Sequence, residues 1–126
     1  MITLFGIPNC DTVKKARAWL TEHGLDYQFH DFKKQGVPPD RLNAWIAAVG
    51  WEKLLNRQGT TWRKLDAATQ ATAVDADSAA KLLMLNASLI KRPVVEWANA
   101  ASGGEHGGEI SVGFDAASWL KRIKTA

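Results

Sequence analysis

The stretch Ile2-Thr3-Leu4-Phe5-Gly6-Ile7-Pro8-Asn9-Cys10-Asp11-Thr12-Val13 decides the fold. Ile2 to Phe5 is a short apolar run that reads as a strand closed by Gly6 and Pro8. The period then switches to helical, with Val13, Ala16 and Leu20 on one side. Cys10 sits at that switch. Gly24 takes the position that ends the helix, and Tyr27-Gln28-Phe29-His30 alternates apolar and polar as a second strand would. Strand, helix and strand in this order predict parallel pairing through a right-handed crossover.

Further on, Pro38-Pro39-Asp40 opens a helix whose Leu42, Trp45, Ile46 and Val49 fall at i, i+3, i+4 and i+7, with Gly50 as its stop. Trp51 to Leu55 reads as a short helix, and Asn56-Arg57-Gln58-Gly59-Thr60-Thr61 is polar and turn-rich. Asp75 or Asp77 caps a third helix running to about Asn86, with Leu82, Leu83 and Leu85 available for burial. Lys91-Arg92-Pro93 leads into a strand from Val94 to Ala98, which a loop over Asn99 to Gly108 joins to a hairpin partner, Glu109 to Val112. Asp115 caps a last helix with Ala116, Trp119, Leu120 and Ile123 at helical spacing. The fold class expected from this order is α/β. It is a mixed four-stranded sheet with flanking helices, matching a thioredoxin-like core with a helical insertion over about 38–88.

Length and composition bound the function. A chain of 126 residues with 46% hydrophobic and 23% charged residues has enough apolar surface to fold without metals or disulfides, so one domain over 1–126 is expected. The net charge of +3 is spread from Lys14 to Lys121 without a basic block, which argues against direct nucleic-acid binding. No apolar run approaches the roughly 18 residues of a membrane span. The amino end has no basic segment followed by an apolar core, so a cytoplasmic location is expected. One cysteine excludes an intramolecular disulfide, leaving either an inert thiol or one that works with an outside partner.

Position favours the second reading. The reactive form is the thiolate, and bringing a thiol from a pKa of about 8.5 to about 6.5 takes roughly 2.7 kcal/mol of preference for the anion. A helix N-terminus supplies about 0.3 to 1 kcal/mol, and about 2 in favourable geometry. One charge-assisted hydrogen bond adds about 1.5 to 3 kcal/mol, so an arginine and first-turn backbone donors together would suffice. Arg57 and Arg92 are the candidates. The Thr12 hydroxyl can donate, Lys14 lies one turn on, and Asp11 opposes ionisation unless it points outward. Trp19, Trp45, Trp97 and Trp119 fall at apolar positions and read as core, while Trp51 and Trp62 flank the Arg57 loop. The three histidines are scattered, without metal-ligand spacing, so no metal is expected.

Three groups of residues together resemble the ArsC/Spx family and its YffB-type branch: Phe5-Gly6-Ile7-Pro8-Asn9-Cys10-Asp11-Thr12, His30-Asp31-Phe32-Lys33-Lys34, and Asn56-Arg57-Gln58-Gly59-Thr60-Thr61-Trp62-Arg63. Leu89-Ile90-Lys91-Arg92-Pro93-Val94-Val95 and Val112-Gly113-Phe114 continue the likeness in order and spacing. The resemblance implies a thioredoxin fold, a nucleophilic Cys10, and a cis-proline at Pro93 packed beside it. It also implies Asn9, Thr12, Lys14, Arg57, Arg92 and Pro93 as residues that bind substrate or glutathione. Arsenate reductases of this family surround the oxyanion with three arginines. Arg57 and Arg92 match two, and Val112-Gly113-Phe114 holds no third. Spx-type regulators carry a second cysteine three residues after the first, where this chain has Val13. The expected activity is therefore a monothiol reductase with glutathione as co-substrate, no tightly bound cofactor, and a disulfide or oxyanion substrate. The alternatives are arsenate reduction with glutaredoxin as a partner, and an Spx-like module that docks on RNA polymerase.

Overall fold

A computed structural model describes residues 2–97 and 109–125. The elements in chain order are β1 (Ile2–Gly6), α1 (Asp11–Glu22), β2 (Tyr27–Asp31), α2 (Phe32–Gln35), α3 (Pro39–Val49), α4 (Trp51–Leu54), α5 (Thr60–Lys64), α6 (Ala67–Ala71) and α7 (Ala76–Leu85). A turn of 3-10 helix, Ala87–Leu89, follows, then β3 (Val94–Glu96), β4 (Ile110–Val112) and α8 (Ala116–Thr125). The loop expected over Asn99 to Gly108 lies outside the described residues, as does Ala98. None of the described helices is long and apolar enough to cross a membrane. The chain divides into two compact units, Met1–Asp31 with Arg92–Ala126, and Phe32–Lys91.

The first unit carries the sheet, in the order β2-β1-β3-β4. β1 runs parallel to β2, with Leu4 opposite Phe29, and antiparallel to β3, with Leu4 opposite Val95. β3 and β4 pair antiparallel, so the mixed sheet expected from the element order is the one observed. β3 stops at Glu96, short of the expected Ala98. Beyond it the Trp97 N–H still donates to the Glu109 carbonyl at 2.8 Å, and β4 begins one residue later than expected, at Ile110.

Alternation puts Leu4, Val95 and Trp97 on one face, where Val13, Ala16 and Leu20 of α1 and Trp119 of α8 close over them. Trp119 meets Trp97, Phe114 and Trp19 edge-on, with ring centroids 4.9, 4.7 and 5.5 Å away. Such edge contacts add about 0.5–1.5 kcal/mol each beyond area burial. Trp97 also satisfies its indole N–H on the Ser111 hydroxyl at 2.8 Å. α8 buries less than its period suggests. Trp119 is 1% exposed and Ile123 packs against the core, but Ala116 is exposed and Leu120 is 37% exposed. Leu120 is rotated about 100° from Trp119 around the helix, away from the seam. Asp115 caps α8 as expected, accepting the Ala117 N–H at 3.1 Å.

The second unit is helical. α3 starts with Pro39 in its first turn and ends at Gly50, whose φ of 88° is left-handed and suits glycine. α7 is capped by Asp75, not Asp77. Asp75 accepts the Ser78 N–H while the Ser78 hydroxyl receives the Asp75 N–H, a complete capping box. Leu83 is fully buried, but Leu85, expected in the core, is 85% exposed. It lies about 200° around the helix from Leu83. α5 begins inside the turn-rich stretch that ends at Thr61, and α6 lies beyond it. Each is five residues long, too short to develop a period, and α6 is marked by its Asp66 cap, which accepts the Thr69 N–H at 3.1 Å. The unit reaches beyond the expected 38–88. At one end it includes α2, and at the other the Lys91 N–H donates to the Leu54 carbonyl at 2.7 Å beside an antiparallel bridge between Leu55 and Ile90.

Candidate active site around Cys10

Cys10 is the N-cap of α1, with φ −91° and ψ 126°, the extended geometry of a residue half inside a helix. Its N–H donates back to the Ile7 carbonyl at 3.2 Å, and its own carbonyl accepts the Lys14 N–H at 3.0 Å as the first helical bond. Pro8 and Asn9 form the exposed turn between strand and helix. At the end of β1 the backbone passes close under α1. A Cβ on Gly6 would lie 2.8 Å from Cγ2 of Val13, so only glycine lets the strand and the helix's first turn come this near.

The positive group arrives by strand pairing. β1 and β3 run antiparallel with Phe5 opposite Val94, so the residues just before Val94 fall at the end of β1 that leads to Cys10. Those residues are Arg92 and Pro93, joined by a cis peptide bond, as the resemblance implied. The Pro93 ring is buried, and its carbonyl accepts the Gly113 N–H at 2.9 Å.

Cys10 is half-buried and touches the core, and this burial taken alone pushes its pKa up. Opposing it are the Val13 N–H, then a hydrogen bond from the Arg92 guanidinium and its charge, and then the Thr12 N–H. Together they outweigh burial and hold the thiol below its ordinary value. No ordinary side-chain cap bond closes at Cys10, and the helix's first N–H groups, those of Val13 and Thr12, favour the sulfur as an anion.

Of the expected site residues, the structure brings together Cys10, Arg92, Pro93 and Thr12. Thr12 contributes its backbone N–H, where its hydroxyl had been expected to act. Lys14 and Asn9 are exposed on either side of the cap, as is Asp11. His30 packs its ring on Phe5 with centroids 5.0 Å apart. Arg57 belongs to the helical unit, where its guanidinium carbon lies 5.4 Å from the Trp51 ring centroid and 5.9 Å from that of Trp62. Sequence reasoning had placed the two tryptophans beside this loop without pairing them to the arginine. It had read Gly6 only as the close of the first strand, not as the point where the strand approaches Val13 of α1.

The family model described as the ArsC family matches residues 5–122. Among solved structures, a YffB protein is 43% identical, covers 96% of this chain and 97% of its own, and superposes with a TM-score of 0.83. An arsenate reductase (ArsC) related protein from Brucella melitensis is 44% identical with a TM-score of 0.70, over 98% of this chain and 94% of that one. A global transcriptional regulator Spx from Streptococcus pyogenes is 30% identical over 97 residues, 75% of this chain and 71% of the regulator. The sheet with its flanking helices is thus the thioredoxin-like fold of these proteins.

Proposed function

Because the chain belongs to the ArsC family, we propose that it is a glutathione-dependent monothiol reductase acting through Cys10. The observation that carries this reading is the place of Cys10 at the N-cap of α1, at the end of β1 to which the register with β3 brings Arg92. There the Val13 N–H and the Arg92 guanidinium hold the thiol below its ordinary value against the effect of burial. A thiolate in that setting is a nucleophile that needs no separate base.

In the proposed cycle the Cys10 thiolate attacks one sulfur of a substrate disulfide. The S–S bond breaks, a mixed disulfide forms on Cys10, and the first substrate thiolate leaves and takes a proton from water. This chain has no second cysteine to resolve the adduct. A glutathione thiolate therefore attacks the Cys10 sulfur and releases the second substrate thiol. A second glutathione attacks the glutathione sulfur of that adduct, giving glutathione disulfide and the Cys10 thiolate. Two electrons pass from two glutathione molecules to the substrate. Arg92 stabilises the thiolate both as attacking and as leaving group. In this reading Asn9, Thr12 and Lys14 line the approach to the sulfur, Pro93 follows Arg92 at the same end of the sheet, and Arg57, in the helical unit, recognises an anion. Dependence on an external thiol suits a reducing compartment, in keeping with a cytoplasmic location.

Steady-state reduction of a small mixed disulfide by glutathione tests the proposal. Cys10→Ser is expected to abolish turnover and the glutathione adduct seen by mass measurement, and retained turnover overturns the mechanism. The Spx relative favours one second reading, a regulator that docks on RNA polymerase. Capture of polymerase subunits that survives Cys10→Ala would support it. Arsenite production from arsenate in the presence of glutathione and glutaredoxin would instead move the substrate to the oxyanion class.

A further inference from the structure

Arg57 is held in an unusual way for an exposed arginine. Its guanidinium lies within cation–π range of two half-buried indoles, Trp51 at the start of α4 and Trp62 within α5. Among the described residues, no carboxylate or carbonyl takes its N–H groups. Cation–π contact engages the charge through the ring's π cloud and leaves the in-plane donors of the fork available.

The backbone beneath Arg57 is equally constrained. The Asn56 N–H donates to the Leu89 carbonyl at 2.8 Å, and the Asn56 side-chain oxygen accepts the Gln58 N–H at 3.2 Å, a turn closed around Arg57. A Cβ on Gly59 would stand 2.7 Å from the Asn56 amide nitrogen, so a larger residue there would displace the Asn56 side chain that closes the turn. Trp62 is anchored in turn, its carbonyl accepting the Gln70 side-chain N–H at 2.8 Å. An arginine that only solubilised the surface would need neither a locked loop nor two aromatic neighbours.

We propose that Trp51 and Trp62 are positioning residues that preset the Arg57 guanidinium, donors outward, to receive a carboxylate. This rests on the reading of Arg57 as a substrate-binding residue. An arginine side chain loses much rotamer freedom when it is fixed, and ordering it before the ligand arrives removes part of that cost from binding. The chemistry selected is a planar anion met edge-on by two parallel N–H groups, as in the carboxylates of a γ-glutamyl peptide such as glutathione.

Calorimetric titration of glutathione into the full chain carrying Cys10→Ser, which cannot form the adduct, tests the proposal. Arg57→Ala is expected to weaken binding about tenfold. Trp51→Leu and Trp62→Leu each weaken it about threefold, and the Trp→Phe replacements recover most of the loss because a ring face is restored. In the Arg57→Ala background the tryptophan replacements add nothing, since they act through the arginine. Relaxation of the Arg57 Nε–H group by NMR should show it ordered in the parent and loosened in the leucine variants at unchanged overall fold.

Three results overturn the proposal, and they are separable. Full affinity in the leucine variants, with Arg57→Ala still weak, overturns the positioning role and leaves the arginine's role standing. Equal tryptophan effects with and without Arg57 show direct contact with the ligand in place of positioning. Unchanged affinity in Arg57→Ala, or no binding by the Cys10→Ser parent, overturns the substrate-binding reading and the positioning role with it.

Discussion

The N-termini of α1 and α7 answer the same physical demand in opposite ways. Each helix begins with N–H groups that have no partner inside the helix. At α7 the sequence answers with Asp75 and Ser78, which satisfy one another's backbone groups in a capping box, with the Asp75 carboxyl held below its ordinary value chiefly by the Ser78 N–H. At α1 the capping position holds a cysteine, and the N–H groups of Val13 and Thr12 are left to stabilise a sulfur anion. Cysteine is a poor cap when protonated and a good acceptor when ionised. The helix start that does least for stability is thus the one equipped for chemistry, a separation often found between stabilising and functional positions.

The contrast can be broken most forcefully at Arg92. Replacing it with glutamine removes both its charge and a charge-assisted hydrogen bond, a contribution that partial exposure of Cys10 reduces toward the lower end of its range. Alkylation of Cys10 near neutral pH is expected to slow about tenfold, and its rise with pH to move upward. Unaltered kinetics would mean that the helix N-terminus alone activates the thiol. The linkage to stability has a definite sign. Because the folded pKa lies below that of the unfolded chain, ionised Cys10 contributes stability above the unfolded thiol pKa and loses it as pH falls through the folded value. Arg92→Gln should narrow that window.

A smaller effect is expected from Gly6→Ala. The added methyl would meet Val13 at 2.8 Å, and overpacking of this kind costs about 1–3 kcal/mol. Urea denaturation should show the loss, accompanied by slower alkylation because α1 is pushed away from the end of β1. Alanine tolerated without cost would show that the close approach does not hold the cap in place. The smallest change should follow Asp75→Ala, which lowers the thermal midpoint modestly while leaving the alkylation rate of Cys10 at its original value. A change in that rate would mean that the two helix starts are not energetically separate.

Much of this arrangement was legible from residue order. The strand Ile2 to Phe5, the helical period of Val13, Ala16 and Leu20, and the stop signals at Gly24 and Gly50 are local properties, and each appears where expected. The caps at Asp75 and Asp115 follow the same logic, because a capping side chain acts within three residues of itself. The failures are also local in origin. α5 and α6 are too short to show a period, and Leu85 and Leu120 lie off the buried stripes of their helices, where hydropathy alone does not tell in from out.

Residue order alone determined that one thiol stands where a strand gives way to a helix, because both periods can be read within a dozen residues. Tertiary structure alone decided which groups meet that thiol. Arg92 reaches Cys10 through the antiparallel register of β1 with β3, and the Arg57 guanidinium meets Trp51 and Trp62 through the folding of the helical unit. Contacts between residues far apart along the chain depend on strand register and helix packing, and neither leaves a periodic trace in the residues it joins.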